Sequence, residues 1–341
     1  MFDTLKNRIQ DWLSQSDHEL ELNGVNAQQW SWILRSWLEA TITESAINKG
    51  HQVFVAPTQE LAENLYAELS QTVPGYQVRF YPGLETSPYG GAVSSEVNLF
   101  KRFRVLEELH QSKERLFIIT LFDALPLRVP PKDFFTHNAL NIEISDVVSP
   151  YELAQKLTDL GYTSSTSVEE PGTFCRKGEV FDIFPLAHSP IRIHYFDDMI
   201  EEIFEIDPDT QRTIRDRTFQ SLKIGVTPGA LMKGELPQNL RTHLPIPGPR
   251  FKEKFENRKE IFQKISDGYL FENYPVYCPL FFTESLTLLD YLDDFSLFSI
   301  FQELEVQQNF ASLMDLYQSE FEIDKEDIES DGILPDPSAQ R

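Results

Sequence analysis

The sequence predicts an α/β protein in which a mostly parallel sheet is followed by a hairpin-rich α+β unit. Strand-like segments alternate with amphipathic helices through about residue 130, which is typical of a sheet covered by helices. Short alternating strands then dominate residues 173–206. The length of 341 residues suggests two or three domains.

The alternation in the first unit depends on three strand-like segments, at residues 51–57, 77–81 and 115–120. Thr58 follows the first segment and can cap the next helix, whose leucines recur one turn apart on its inner face. A second amphipathic helix is predicted over residues 99–110. We therefore expect a sheet of parallel strands linked by helices.

The pattern changes after residue 130. A strand is predicted at 140–147, a short helix at 150–160, a further strand at 220–224, and a helical, Phe-rich region at 230–320. These changes divide the chain into a first domain at residues 1–130, an inserted α+β domain at 131–212, a third domain at 213–325 and an acidic tail at 326–341.

The most informative stretch is residues 172–198, where two strand-like segments carry basic and aromatic side chains. Alternation gives the second strand two faces, one with Arg192, His194 and Phe196 and the other with Ile191, Ile193 and Tyr195. Arginine and aromatic side chains dominate protein interfaces, so the first face predicts a docking site. The alternative is an ordinary hairpin with solvated cations and Phe196 in the core.

The charge balance argues against nucleic acid as a direct ligand. The chain carries 30 Lys and Arg against 54 Asp and Glu, a net charge of −24, so we expect no strong DNA affinity from this chain alone. Cys175 and Cys278 are too few for a zinc site or a disulfide framework and favour a reducing cytoplasm. Residues 1–6 carry an early acid and no basic stretch followed by an apolar run, so we expect no secretion signal there, and the most apolar window, residues 116–127, is too short to span a bilayer.

A phosphate-binding loop would be expected after the strand-like residues 19–22, but its motif is degenerate. Gly24 and Ser31 stand at the first and last motif positions, whereas Gln29 replaces the second glycine and Trp30 replaces the lysine. Loss of the cation and gain of a bulky indole remove what holds a phosphate. We therefore expect no nucleotide, metal or other cofactor in this chain.

Four features carry a resemblance to a known family. They are the degenerate phosphate loop, the Ala-Pro-Thr-Gln-Glu-Leu-Ala helix start at 56–62, the Leu-Glu-Thr-Ser-Pro-Tyr loop at 84–89, and Phe-Asp-Ile-Phe-Pro at 181–185 with Phe-Asp-Asp at 196–198. Over about residues 15–335 the chain resembles the UvrB-like N-terminal region of the bacterial transcription-repair coupling factors (Mfd). The resemblance implies a degenerate RecA-like domain 1a, an inserted domain 2, and a domain 1b that packs back on domain 1a.

The resemblance also implies partners. In this family, domain 2 recruits UvrA to a stalled RNA polymerase, and the full-length protein is an ATP-dependent DNA translocase that uses ATP and Mg²⁺. We expect this chain to be the non-enzymatic N-terminal part of such a protein. Contacts with RNA polymerase and DNA would come from the remaining domains, which are also possible intramolecular partners. No membrane contact is expected.

The family's docking residues carry over by position. Arg192 and Phe196 match the arginine and the second aromatic of its Arg-x-x-Phe-Phe strand. Lys177 stands where the family has the arginine of an Arg-Gly pair, which keeps the charge and loses the bidentate fork. Gly178 allows a bulge or sharp bend there. Arg176 and His194 complete the set of expected UvrA-binding residues; Arg176 can compensate for the missing fork, although strand alternation would point it the other way. We expect Arg192→Ala or Phe196→Ala to remove partner binding and leave stability nearly intact.

Two other interpretations stay open on the residues alone. The module can be mainly autoinhibitory, masking its own docking face against domains beyond these 341 residues. It can also be an enzyme with an unrecognised nucleotide or carboxylate site, for which the candidates are Asp197, Asp198, Glu201 and Glu202. Asp197 and Asp198 are more typical of a turn between two strands.

Overall fold

The computed structural model describes residues 29–43, 50–70, 73, 75–84, 96–111, 114–232, 282, 286–292, 295–299, 308 and 311–319. The helices are α1 (Trp30–Thr43), α2 (Gln59–Leu69), α3 (Glu96–Gln111), α4 (Lys132–His137) and α5 (Pro150–Asp159), and residues 311–319 are also helical. None of the helices in these ranges has the length and apolar character needed to cross a membrane.

The strands are β1 (His51–Ala56), β2 (Gln77–Tyr81), β3 (Leu116–Leu121), β4 (Leu140–Glu143), β5 (Thr163–Ser164), β6 (Thr173–Lys177), β7 (Val180–Phe184), β8 (Ile191–Phe196), β9 (Met199–Ile206), β10 (Thr213–Thr218), β11 (Ser221–Ile224) and β12 (Phe295–Ser299). Short 3₁₀ turns occur at Phe122–Ala124, Pro228–Met232 and Leu289–Tyr291.

A four-stranded parallel sheet forms the first unit, in the order β12-β1-β3-β2. Every residue of β3 is buried, because both faces of this strand are covered. Phe117 and Ile119 pack toward α1 and α2, and the alternate side chains of β3 join the core on the other face. The three predicted strands are confirmed, as is the Thr58 cap, whose hydroxyl accepts a hydrogen bond from the Leu61 N–H at 3.3 Å.

The strand β12 corrects a sequence prediction. Residues 230–320 are predicted to be helical, but residues 295–299 form a parallel strand beside β1. The five residues Phe-Ser-Leu-Phe-Ser are too few for their apolar spacing to separate a strand from a helix, so the pairing partner decides. The helical prediction is confirmed at residues 311–319, and residues 233–281 lie outside the described part of the chain.

A six-stranded sheet forms the inserted unit, in the order β10-β9-β8-β7-β6-β5. The predicted hairpins are confirmed, since β6 to β10 pair antiparallel with their neighbours along the chain. Gly178 adopts a φ of 65° in the two-residue turn between β6 and β7. The ladder stays regular up to Lys177 and Val180, so the glycine makes a sharp bend without a bulge.

One continuous core joins the two units through α3. Leu106 of α3 belongs to the same buried cluster as Ile118 of the parallel sheet and Ile183 of the six-stranded sheet. A Cβ on Gly172, just before β6, would overlap the ring of Phe100 on α3. The inserted unit therefore packs its backbone directly against this helix.

A buried acid lies at the same junction. Glu107 of α3 accepts a hydrogen bond from Gln111 at 3.0 Å, and a Cβ on Gly225 would overlap the Glu107 carboxyl group. Burial, together with the charge of Glu108, raises the pKa of Glu107 to about 8. The folded protein therefore holds a proton on this carboxyl group at neutral pH.

Candidate docking face

The outer face of the six-stranded sheet carries most of the side chains that the sequence assigns to docking. Along β8, Ile191, Ile193 and Tyr195 are buried, whereas Arg192 and His194 are half-buried on the opposite face. Phe196 shares that opposite face and is 64% exposed. The predicted alternation is confirmed, and the alternative that puts Phe196 in the core is wrong.

Lys177 lies on this face together with His194. The ladders pair Lys177 with Val180 and Val180 with His194, so Lys177 and His194 are in one row, two strand spacings or about 10 Å apart. The row continues to Glu202 on β9, whose carboxylate is 3.8 Å from His194 Nδ1. Arg176 is exposed, but strand alternation puts it on the opposite face from Lys177.

Arg192 is engaged within the sheet. Its Nε and Nη2 donate to the two carboxylate oxygens of Asp182 at 2.7 and 2.8 Å, and its Nη1 donates to the Thr213 hydroxyl at 3.1 Å. Asp182 is 2% exposed, and its hydrogen bond raises the pKa of Arg192. Since a guanidinium has five N–H donors, two of them take no part in these three bonds.

This pairing corrects one expectation. Arg192→Ala is predicted from sequence to leave stability nearly intact, but it would leave the buried carboxylate of Asp182 without its cation. Sequence reasoning missed Asp182 because the two residues are ten positions apart on different strands. The available signal is an acid between the apolar residues Phe181 and Ile183, which is unusual in a buried strand.

The degenerate phosphate loop is described only from Gln29 onward, and Gly24 lies outside the described residues. Gln29 is exposed and immediately precedes α1. Trp30 is the first residue of α1, and its ring lies 5.9 Å from the ring of Phe54 on β1. Ser31 is buried. The indole at the lysine position of the motif therefore packs against the parallel sheet.

Two of the four candidate carboxylates near residue 200 form a turn, and the other two, Glu201 and Glu202, lie on β9. Asp197 and Asp198 are the two residues between β8 and β9, and Asp197 adopts a φ of 53°. Within the described ranges, no three His, Cys, Asp or Glu side chains are grouped closely enough to hold a metal ion. Cys175 is buried and donates its thiol to the Thr166 carbonyl at 3.1 Å, and Cys278 lies outside the described residues.

The segment that forms the docking face matches a known family of domains. The UvrB interaction domain family matches residues 140–225, which run from β4 to just beyond β11 and include every candidate docking residue. The protein is thus of the class in which a UvrB-like interaction domain is attached to a parallel α/β unit.

Similarity to curated relatives extends beyond this domain. The chain is 30% identical over 256 residues to the transcription-repair-coupling factor of Haemophilus influenzae, covering 74% of this chain and 21% of the relative. It is 24% identical over 305 residues to that of Bacillus subtilis, covering 84% of this chain and 26% of the relative. The chain belongs with the UvrB-like N-terminal region of the transcription-repair coupling factors (Mfd), as its motifs predict. It spans about a fifth to a quarter of the length of these relatives.

Proposed function

We propose that this chain is the module through which a transcription-repair coupling factor recruits UvrA to stalled RNA polymerase in nucleotide excision repair. The observation that carries the proposal is the exposed ring of Phe196 on the outer face of a segment that matches the UvrB interaction domain. An exposed aromatic ring beside cationic groups has the composition of an interface anchor. The names of the relatives support a role in repair coupled to transcription.

The docking residues have different tasks in this proposal. Phe196 is the apolar anchor, and Lys177 and His194 form a polar row beside it. Arg192 holds β8 to Asp182 and offers its two remaining N–H groups to the partner. Arg176 contributes least, since it points to the opposite face of β6.

The rest of the proposal concerns the parallel unit and the whole protein. The parallel unit is a degenerate RecA-like domain 1a without enzymatic activity, and the packing of Trp30 on Phe54 supports a structural role for the residue at the lysine position of the motif. In the full-length protein, ATP, Mg²⁺, DNA and RNA polymerase would be bound by the other domains, which complete a DNA translocase.

The domain division is also part of the proposal. Domain 1a spans residues 1–130, the inserted domain begins at 131, and domain 1b follows it up to 325. Strand pairing supports ending the inserted domain after β11 instead of at residue 212, because β10 pairs with β9 and β11 pairs with β4.

Calorimetric titration of the chain into purified UvrA tests the proposal. Phe196→Ala is compared with Trp32→Ala, because Trp32 is equally exposed at 64% but lies on α1 of the parallel unit. We expect the wild-type chain to bind, Phe196→Ala to weaken binding about tenfold or more, and Trp32→Ala to change it less than about twofold. No binding by the wild-type chain, or equal effects of the two substitutions, would refute the proposal.

A further inference from the structure

We infer that the docking face extends from Phe196 across Met199 to Val147, so that the partner packs on an apolar row that crosses three chain segments. This inference rests on the proposed function and adds two contact residues to the site. Neither residue lies on β8, and neither belongs to the motifs that the sequence singles out. The three side chains are called the apolar row below.

The first half of the row is the end of a hairpin. Phe196 and Met199 are paired across the two-residue turn between β8 and β9. Directly opposed residues of an antiparallel pair have their side chains on the same face, with Cβ atoms about 5 Å apart. Met199 therefore lies beside Phe196 on the outer face of the sheet, while Ile200 points into the core.

The second half of the row is a bridge to the segment before α5. Met199 is paired antiparallel with Val147. Two hydrogen bonds flank this pair, from the Ile200 N–H to the Asp146 carbonyl and from the Val148 N–H to the Asp198 carbonyl, each at 2.9 Å. In this type of pair the backbones approach most closely and the two side chains are close neighbours on one face. Val147 thus continues the row on the same face as Met199.

The row is exposed along its whole length. Val147 is 79% exposed and Met199 is 37% exposed, next to Phe196. Single exposed apolar side chains are ordinary, but three at adjacent paired positions on one face form a patch of the kind that marks an interaction site. Backbone pairing fixes the main chain at all three positions, so binding a partner there has to order little backbone.

The charges around the row describe the surface that fits it. The exposed acids Asp197, Asp198 and Glu201 lie at the turn end, and Lys177 lies at the far side of the face. A complementary partner surface has an apolar depression with basic groups toward the turn and an acid toward Lys177. Continuity with Phe196 assigns this surface to the partner of the proposed function, UvrA. Three side chains are too small an area for a stable dimer on their own.

The test is a titration of UvrA with the full chain and four variants. Val147→Ser and Met199→Ser probe the row, Phe196→Ala is the reference, and Val97→Ser is the matched control, since Val97 is 62% exposed on α3. We expect Val147→Ser and Met199→Ser each to weaken binding about fivefold or more, and Val97→Ser to change it less than about twofold. Circular dichroism and thermal melting verify that each variant is folded.

The outcomes separate the two proposals. Normal binding by Val147→Ser and Met199→Ser, combined with weak binding by Phe196→Ala, would overturn the extended row and leave the proposed function standing. Absence of binding by the wild-type chain would overturn both. A wild-type dimer in light scattering that Val147→Ser converts to a monomer would identify a second copy of the chain as the occupant and overturn the assignment to UvrA.

Discussion

Removal of the Arg192 guanidinium should destabilise the inserted domain, although the side chain lies on the outer face of the sheet. Two hydrogen bonds of 2.7 and 2.8 Å join Arg192 to Asp182, whose side chain is almost completely buried. Loss of one partner from a buried ion pair costs about 3–5 kcal/mol. The Arg192 side chain keeps 21% exposure, so water offsets part of this cost, and we expect a loss of about 2–4 kcal/mol in Arg192→Ala.

A double-mutant cycle measures the pair. Arg192→Ala, Asp182→Ala and the double variant are compared by urea unfolding followed by far-UV circular dichroism. All four tryptophans lie within the first 37 residues, so their fluorescence does not report directly on the inserted unit. The double variant leaves no buried charge unpaired. Its unfolding free energy should therefore exceed the value expected from adding the two single losses by about 2 kcal/mol or more.

The cycle can refute the reasoning in two ways. A coupling free energy below about 0.5 kcal/mol would mean that the pair contributes nothing specific. An equal loss in Arg215→Ala, an exposed arginine of β10, would mean that the effect comes from net charge and not from the pair. We expect this control to stay within about 0.5 kcal/mol of the wild type.

Three further predictions concern the core and the junction. In urea unfolding, Phe196→Ala should lower the unfolding free energy by less than about 1 kcal/mol and Ile193→Ala by about 2–4 kcal/mol, because only Ile193 is buried. Similar losses in the two variants would contradict the assigned faces. The pKa of Glu107 is raised from 4.5 to about 8 in the folded protein, so the folded state keeps a proton that the unfolded chain releases. The unfolding free energy of the wild type should therefore fall as the pH rises from about 4.5 to 8. Glu107→Gln should remove this decline and be several kcal/mol more stable than the wild type at pH 8.5; parallel pH profiles of the two proteins would exclude it. Gly225→Ala should lower the melting temperature by several degrees, since its Cβ would overlap the Glu107 carboxyl group, and an unchanged melting temperature would show that the junction adapts.

Local periodicity predicted much of the site. Alternation over residues 191–196 was enough to assign Phe196 to the outer face and Ile193 to the core, because successive side chains of a strand point to opposite faces. The turn at Asp197 and the cap at Thr58 follow from the chemistry of those residue types. These features depend on neighbours within a few positions, which the sequence contains explicitly.

The pairing of distant segments was decided only by the tertiary structure. The strand β12 pairs with β1 across more than two hundred positions. Val147 lies beside Met199 only because the segment before α5 pairs with the first residue of β9. The Asp182 partner of Arg192 likewise depends on the register between β7 and β8. Sequence by itself therefore determined which side chains face outward. Ladder register, which couples residues far apart in the chain, decided which of them are already paired and which remain exposed for a partner.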